Sequence, residues 1–174
     1  MTNDVALATF RAGWGEHQRL LLDALRDLQP DQLALRASPD GWTIWQMASH
    51  MAGARAFWFH DVLREGDDAV RDMFRIERTT VPGLSLDDAG WEDDEIRPRT
   101  APEIVDAFER TWAMIDGCLG RWASDDLAVG FMRDGYDRES TRAWVIWHLI
   151  EHEGHHGGEI SLILGSNGLP ALDL

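Results

Sequence analysis

The sequence contains no lysine. All 16 basic residues are arginine, set against 31 acidic ones, and the formal net charge is −15. A chain this acidic repels phosphate backbones. Its arginines are scattered among acids, so no nucleic-acid partner is expected. Cysteine is almost as scarce. Cys118 stands alone, which rules out a disulfide within the chain and agrees with a reducing compartment. Long apolar runs are missing too. His, Arg, Glu or Gln interrupts them every few residues, whereas a membrane-spanning helix needs about 20 mostly apolar residues. No membrane association is expected. The opening Met1-Thr2-Asn3-Asp4 has neither the basic start nor the apolar run of a signal peptide. The expected location is therefore the cytoplasm.

What is present suits a globular domain. The 174 residues, 44% of them apolar, fit one domain spanning 1–174. A chain of this length buries roughly 70% of its unfolded surface, enough to fold without a disulfide or metal. Nine tryptophans suggest large apolar contacts in the core or at the ends of helices. Stacking against a ligand by one or two of them is the alternative.

Four helical stretches are expected, and no strand beyond a short hairpin. In the first, from about Asp4 to Leu28, apolar Leu7, Phe10, Trp14, Leu21, Leu25 and Leu28 recur at helical spacing, and Pro30 ends it. The second opens at Thr43-Ile44-Trp45-Gln46, a capping box with Thr at N-cap and Gln at N3. Ile44, Met47, Ala48, Met51, Trp58 and Val62 form its stripe, and Gly66 closes it. The third opens at Thr100-Ala101-Pro102-Glu103, another capping box, and carries Ile104, Phe108, Met114 or Trp112, Ile115 and Leu119. The fourth runs from about Ser140 to Leu164 and ends at Gly165. Residues 67–99, which include Pro82-Gly83, form a long acidic crossover with room for a short helix. Residues 124–139 suit a loop or short hairpin. The expected fold is an all-α four-helix bundle with a long crossover between its second and third helices.

The fourth stretch carries the chemistry, in Trp147-His148-Leu149-Ile150-Glu151-His152-Glu153-Gly154-His155-His156-Gly157-Gly158-Glu159. Angles are taken at ~100° per residue from Trp144. Val145, Ile146, Leu149, Ile160, Ile163 and Leu164 then fall between about 100° and 200°, which is the buried face. His152 comes at about 80° and His156 at about 120°, both leaning into the core. His148 lies on the edge and His155 off the face. The i, i+4 pair His152 and His156 suits chelation of one ion. Two imidazoles buried side by side are otherwise hard to satisfy. The competing reading is two packing histidines with backbone or solvent partners. A third ligand has to come from another helix. His50 sits midway along the second, with His17 and His60 as rivals.

Two motifs then resemble a known family. Gly41-Trp42-Thr43-Ile44-Trp45-Gln46-Met47-Ala48-Ser49-His50-Met51-Ala52 resembles the opening of the second helix in DinB-like, or YfiT-like, metal-dependent enzymes. His148-x-x-x-His152-x-x-His155-His156-x-Gly158 resembles their fourth helix. The resemblance covers nearly the whole chain. It implies a four-helix bundle, often a homodimer, that holds a divalent metal with His50, His152 and His156. It also implies hydrolase or thiol-dependent S-transferase activity on a small-molecule substrate, with a low-molecular-weight thiol as a candidate partner. Imidazole ligands admit Zn, Ni, Fe or Mn, and the resemblance favours Zn or Ni. A non-catalytic, stress-related metal- or ligand-binding protein is the alternative. It would require a fourth protein ligand such as His148 or Glu159. The chain departs from many family members in having Gly157-Gly158-Glu159 where they have Arg-Gly-Gln. Glu159 then either orients a ligand histidine or is a plain exposed residue.

His152-Glu153-Gly154-His155-His156 also matches the H-E-x-x-H signature of zinc peptidases. That reading needs a further ligand downstream, and no histidine follows His156. Glu153, at about 180° on the wheel, also points away from the pair. Cys118 has no histidine near it in sequence, so it is not expected to be a nucleophile.

Overall fold

In the computed structural model the described residues are 5–66, 68–76, 90–132, 137 and 139–172, apart from the side chain of Ala6. Pro82-Gly83 and Asp134-Gly135-Tyr136 lie outside them. The chain is mostly helical. In order it forms α1 (Val5–Leu25), α2 (Pro30–Leu33), α3 (Ile44–Ala56), α4 (Asp68–Phe74), α5 (Ala101–Arg121), α6 (Ser124–Leu127) and α7 (Arg142–Ser166). A two-residue hairpin, β1 (Gly130–Phe131) and β2 (Ser140–Thr141), pairs Gly130 with Thr141 and Phe131 with Ser140 in antiparallel register. No helix among the described residues is long and apolar enough to cross a membrane.

The helix starts follow local chemistry. Gln46 N donates to Thr43 Oγ1 at 3.3 Å, and the Gln46 amide oxygen accepts from Thr43 N at 2.8 Å. Thr100 and Glu103 repeat the exchange at α5. These are the two expected capping boxes. Pro30 behaves otherwise than expected. Besides following the end of α1, it opens α2, where its missing N–H costs nothing in the first turn, and Gln32 caps back onto Gln29 N at 2.8 Å. The last helix starts two residues later than expected because Ser140 and Thr141 pair in the hairpin. Thr141 then caps the helix by accepting from Trp144 N.

The helix at α3 is buried on nearly every side, not along one stripe. Ile44, Met47, Ala48, Met51 and Ala52 are joined inside by Ser49, Gly53, Ala54 and Arg55. Small residues allow this, because helices and loops can approach the backbone from several directions. A π-helical segment, Phe57–Val62, continues α3, with Leu63 N donating to Trp58 O five residues back. Phe10, expected in the core, is 37% exposed. It lines an open cavity between α1 and α7, to which α7 contributes Trp147, Ile150 and Gly154.

Two apolar clusters fill the interior. One gathers Leu21, Met51, Ile104, Phe108 and Ile160, and the other Trp14, Phe59, Ile115, Ile146 and Leu149. Along each long helix, a polar residue falls between the two: Gln18, Arg55, Thr111 and Glu153, all buried. Arg55 and Glu153 form a bidentate ion pair at 2.6 and 2.7 Å, with both side chains fully buried. Gln18 Oε1 accepts from Arg55 Nη1 at 2.6 Å, and Trp14 Nε1 donates to Glu153 Oε2 at 2.9 Å. The guanidinium also lies 4.8 Å from the centre of the Phe108 ring.

Breaking one side of such a pair leaves an uncompensated buried charge. Arg55→Met alone should lower stability by about 3–5 kcal/mol. The double variant Arg55→Met, Glu153→Leu should recover most of that loss. Urea unfolding of the three proteins checks this.

Candidate metal centre

The site is built by α3 and α7, with the crossover closing one side. Regular helix spacing puts His152 and His156 one turn apart on α7, and His50 meets them from α3. One nitrogen from each of the three lies within 4.8 Å of the other two. His50 Nε2 and His152 Nε2 are 2.8 Å apart. His50 is therefore the histidine of another helix that joins the pair. Of its rivals, His60 is held between Asp61 at 2.7 Å and Asp68 at 2.9 Å, which raises its pKa against the effect of its own burial. His17 instead faces Glu153 across α1 and α7, at 4.0 Å.

Partners fix the ring tautomers. His50 Nδ1–H donates to the backbone carbonyl of Glu92 at 2.6 Å. His156 Nδ1–H donates to Glu159 Oε2 at 2.8 Å. Each bond leaves the ring's Nε2 with a free lone pair, which is how a metal-ligating imidazole is usually oriented. Glu159 is thus both half exposed and tied to His156. Nδ1 of His152 is buried with no partner among the described residues. Trp42 stacks on His156, with centroids 5.8 Å apart and planes 20° apart, and meets His50 edge-on at 5.0 Å.

Burial disfavours the charged form of His152 and His156. It pushes the pKa of His152 down to about 3, with the neighbouring imidazoles of His50 and His156 adding to the effect. Burial also lowers that of His156, although Glu159 opposes the shift. Three imidazoles around a small space, one with an orphaned nitrogen, fit a divalent cation. His148 is not one of the three. It stacks on Trp144 with centroids 4.9 Å apart and lies 5.9 Å from the His152 ring. Glu159 falls in a second set, with His155 and His156.

The peptidase signature dissolves in the fold. Glu153 is the buried partner of Arg55 and is no base for substrate. Its wheel angle of about 180° lay inside the expected buried face, so its burial was readable although its partner was not. The glycine at 157 has a local cause as well. A Cβ there would sit 3.3 Å from Cε1 of His17, so even alanine would press on that ring.

The sequence profile of the DinB superfamily matches residues 14–160. The chain belongs to the DinB superfamily. Among solved structures it is similar to a DinB-like protein from Bacillus cereus, with a TM-score of 0.69, 19% identity and 95% of each chain covered. It is also similar to a conserved protein from Enterococcus faecalis, with a TM-score of 0.66, 10% identity, and 91% of this chain and 96% of that one covered. At these identities the likeness concerns the fold. No curated protein matches the sequence.

The depressed pKa of His152 has a consequence for stability. The unfolded chain takes up a proton near the ordinary value of 6.5, and the folded one only near 3. Stability contributed by the neutral ring is present above 6.5 and is lost as pH falls through that window. Metal-stripped protein should therefore melt at lower temperature at acid than at neutral pH. A His152→Leu variant should show a smaller drop. Calorimetric Tm across pH checks both.

Proposed function

We propose that this DinB-superfamily protein is a metal-dependent enzyme whose single divalent ion is held by His50, His152 and His156. The observation that carries the reading is the convergence of three imidazoles with no fourth protein donor in their set among the described residues. Three protein ligands with open positions are the pattern of a catalytic site, whereas a structural site is closed. The non-catalytic alternative calls for a fourth ligand, and neither His148 nor Glu159 joins the triad.

A cation at these nitrogens would supply Lewis acidity, lowering the pKa of a bound water or thiol. The chain's own residues do the rest. Glu92 and Glu159 hold the Nδ1 protons of His50 and His156. Trp42 shields one edge of the cluster. A cleft of about 440 Å³ reaches His156 between Trp42, Met47, Ile163 and Asp40, and is large enough to admit a small substrate.

The nucleophile is external in this reading. Cys118 is fully buried and its thiol is pushed up in pKa by that burial, so it offers no thiolate. The reaction class is then hydrolysis, with water attacking, or S-transfer to a low-molecular-weight thiol. Both use the same ion, which we take to be Zn or Ni, with Fe and Mn also compatible with imidazole. We extend the proposal to a cytoplasmic homodimer acting on a small molecule. The lone Cys118 agrees with a reducing compartment, and Trp147 and Leu162 are left exposed on α7 for a second copy to cover. The net charge of −15 disfavours nucleic acid.

Elemental analysis of protein purified without an affinity tag should find about one metal ion per chain, as a three-ligand site holds one. The His152→Ala, His156→Ala double variant should contain none. Equal metal in both, or none in wild type after incubation with excess zinc and nickel, would sink the reading. Cys118→Ala should leave any metal-dependent turnover unchanged, and its abolition would remove the external nucleophile from the account.

A further inference from the structure

The crossover returns to α3 through a 3-10 turn, Trp91–Asp93, seated directly on the helix backbone. The residue beneath it is Gly53. A Cβ there would overlap the amide nitrogen of Glu92, and would lie 2.7 Å from Glu92 Oε2 and 3.0 Å from the carbonyl carbon of Trp91. Two of these three atoms belong to the main chain, so they cannot rotate aside. Glycine inside a helix is disfavoured relative to alanine. Here the close approach of another backbone requires it.

The turn is tied down from its other sides. Arg71, itself buried, holds the Glu92 carboxylate at 3.0 and 3.3 Å and Asp61 at 2.8 Å. Gly90 makes a β-bridge with Arg75 at the end of α4. Gln46 Nε2 donates to the carbonyl of Glu95 at 2.9 Å. The Arg99 guanidinium lies 4.3 Å over the Trp91 ring and pairs with Asp94 at 2.7 Å. All of this fixes one atom that matters to the site, the Glu92 carbonyl oxygen, 2.6 Å from His50 Nδ1.

We propose that Gly53, Arg71 and Glu92 are positioning residues that set the tautomer of His50. The carbonyl they hold in place accepts a hydrogen bond from Nδ1–H, which keeps the ring proton there and leaves Nε2 unprotonated, facing His152. A backbone carbonyl suits this task because it only accepts, and so admits one tautomer of a neutral ring. In metal-free protein, the short Nε2–Nε2 contact then carries a single proton, donated by His152 to His50. For His152 Nε2 to face a cation as a neutral ligand, that proton would move to Nδ1 of the same ring. If the turn lifts, His50 is free to protonate at Nε2, which removes a lone pair from the site. The consequence for metal binding rests on the proposed metal-dependent function. The tautomer itself does not.

The test compares wild type with Gly53→Ala, Glu92→Ala and Glu92→Gln. Two quantities are read: the imidazole nitrogen NMR shifts of His50 in metal-free, isotope-labelled protein at a pH where histidine is neutral, and zinc affinity by competition with a chelator. Wild type should show a protonated Nδ1 and a bare Nε2. Gly53→Ala, which favours the helix but displaces the turn, should shift His50 toward Nε2–H and weaken zinc binding by about ten- to hundred-fold. Glu92→Ala frees the turn from Arg71 without inserting bulk, and should move both readouts the same way. Glu92→Gln keeps an acceptor for Arg71 and should restore the wild-type tautomer. His50 remaining Nδ1-protonated with unchanged zinc affinity in folded Gly53→Ala would overturn the proposal. If that variant does not fold, the same result in Glu92→Ala would overturn it. Wild type that binds no zinc would defeat the metal-dependent reading alone, and the tautomer comparison would still decide the role of the seat.

Discussion

The ion pair between Arg55 and Glu153 is the interaction on which the rest of this structure depends. It joins α3 to α7, the two helices that carry the three imidazoles, and both of its side chains are fully buried. Arg55 follows His50 on α3 by little more than one turn, and Glu153 is the immediate neighbour of His152. Any slip of one helix along the other would break a bidentate contact in the interior and part the histidines together. Apolar packing alone tolerates such slips more readily, because greasy surfaces slide and repack with modest loss. A directional pair with Gln18 and Trp14 as further partners does not. The layer divides the core into two clusters and fixes how they align.

The chemistry of the site follows from keeping histidine uncharged inside a protein. Burial makes protonation of His152 and His156 costly. The surroundings remove the remaining freedom by accepting hydrogen bonds from Nδ1–H of His50 and His156. The result is a set of nitrogen lone pairs presented at neutral pH in a chain of otherwise strongly negative charge. Its neighbours are aromatic and apolar on one side and open through a cleft on the other. Glu153, which sits next to His152 in sequence, is kept out of this set by its arginine.

Much of this was legible beforehand, for physical reasons that differ residue by residue. The capping boxes at Thr43 and Thr100 are local, so the sequence alone located them to the residue. The pairing of His152 and His156 follows from helix geometry within one element. His50 could be placed on the flank of its helix, but choosing it over His17 and His60 drew on the family resemblance, because packing between helices is not a local property. The buried pair has no local signature for the same reason. Glu153 fell on the inward arc of the wheel, while nothing near Arg55 in sequence announced its partner. Pro30 carries the signal of a stop when it is also a start, and Phe10 has core spacing yet lines an open cavity between α1 and α7. The role of the Glu92 carbonyl has no sequence signal at all, since every residue has one. Only Gly53, a glycine inside a helix, hinted that another backbone comes close.

The most direct test of the central claim is anomalous diffraction from crystals of zinc-loaded protein, measured at the metal absorption edge. The account predicts one strong peak per chain among His50, His152 and His156, about 2.0 Å from a ring nitrogen of each, the usual zinc–imidazole distance. A peak confined to His155 and Glu159 on the outer face of α7, or none in crystals that bind zinc in solution, would contradict it.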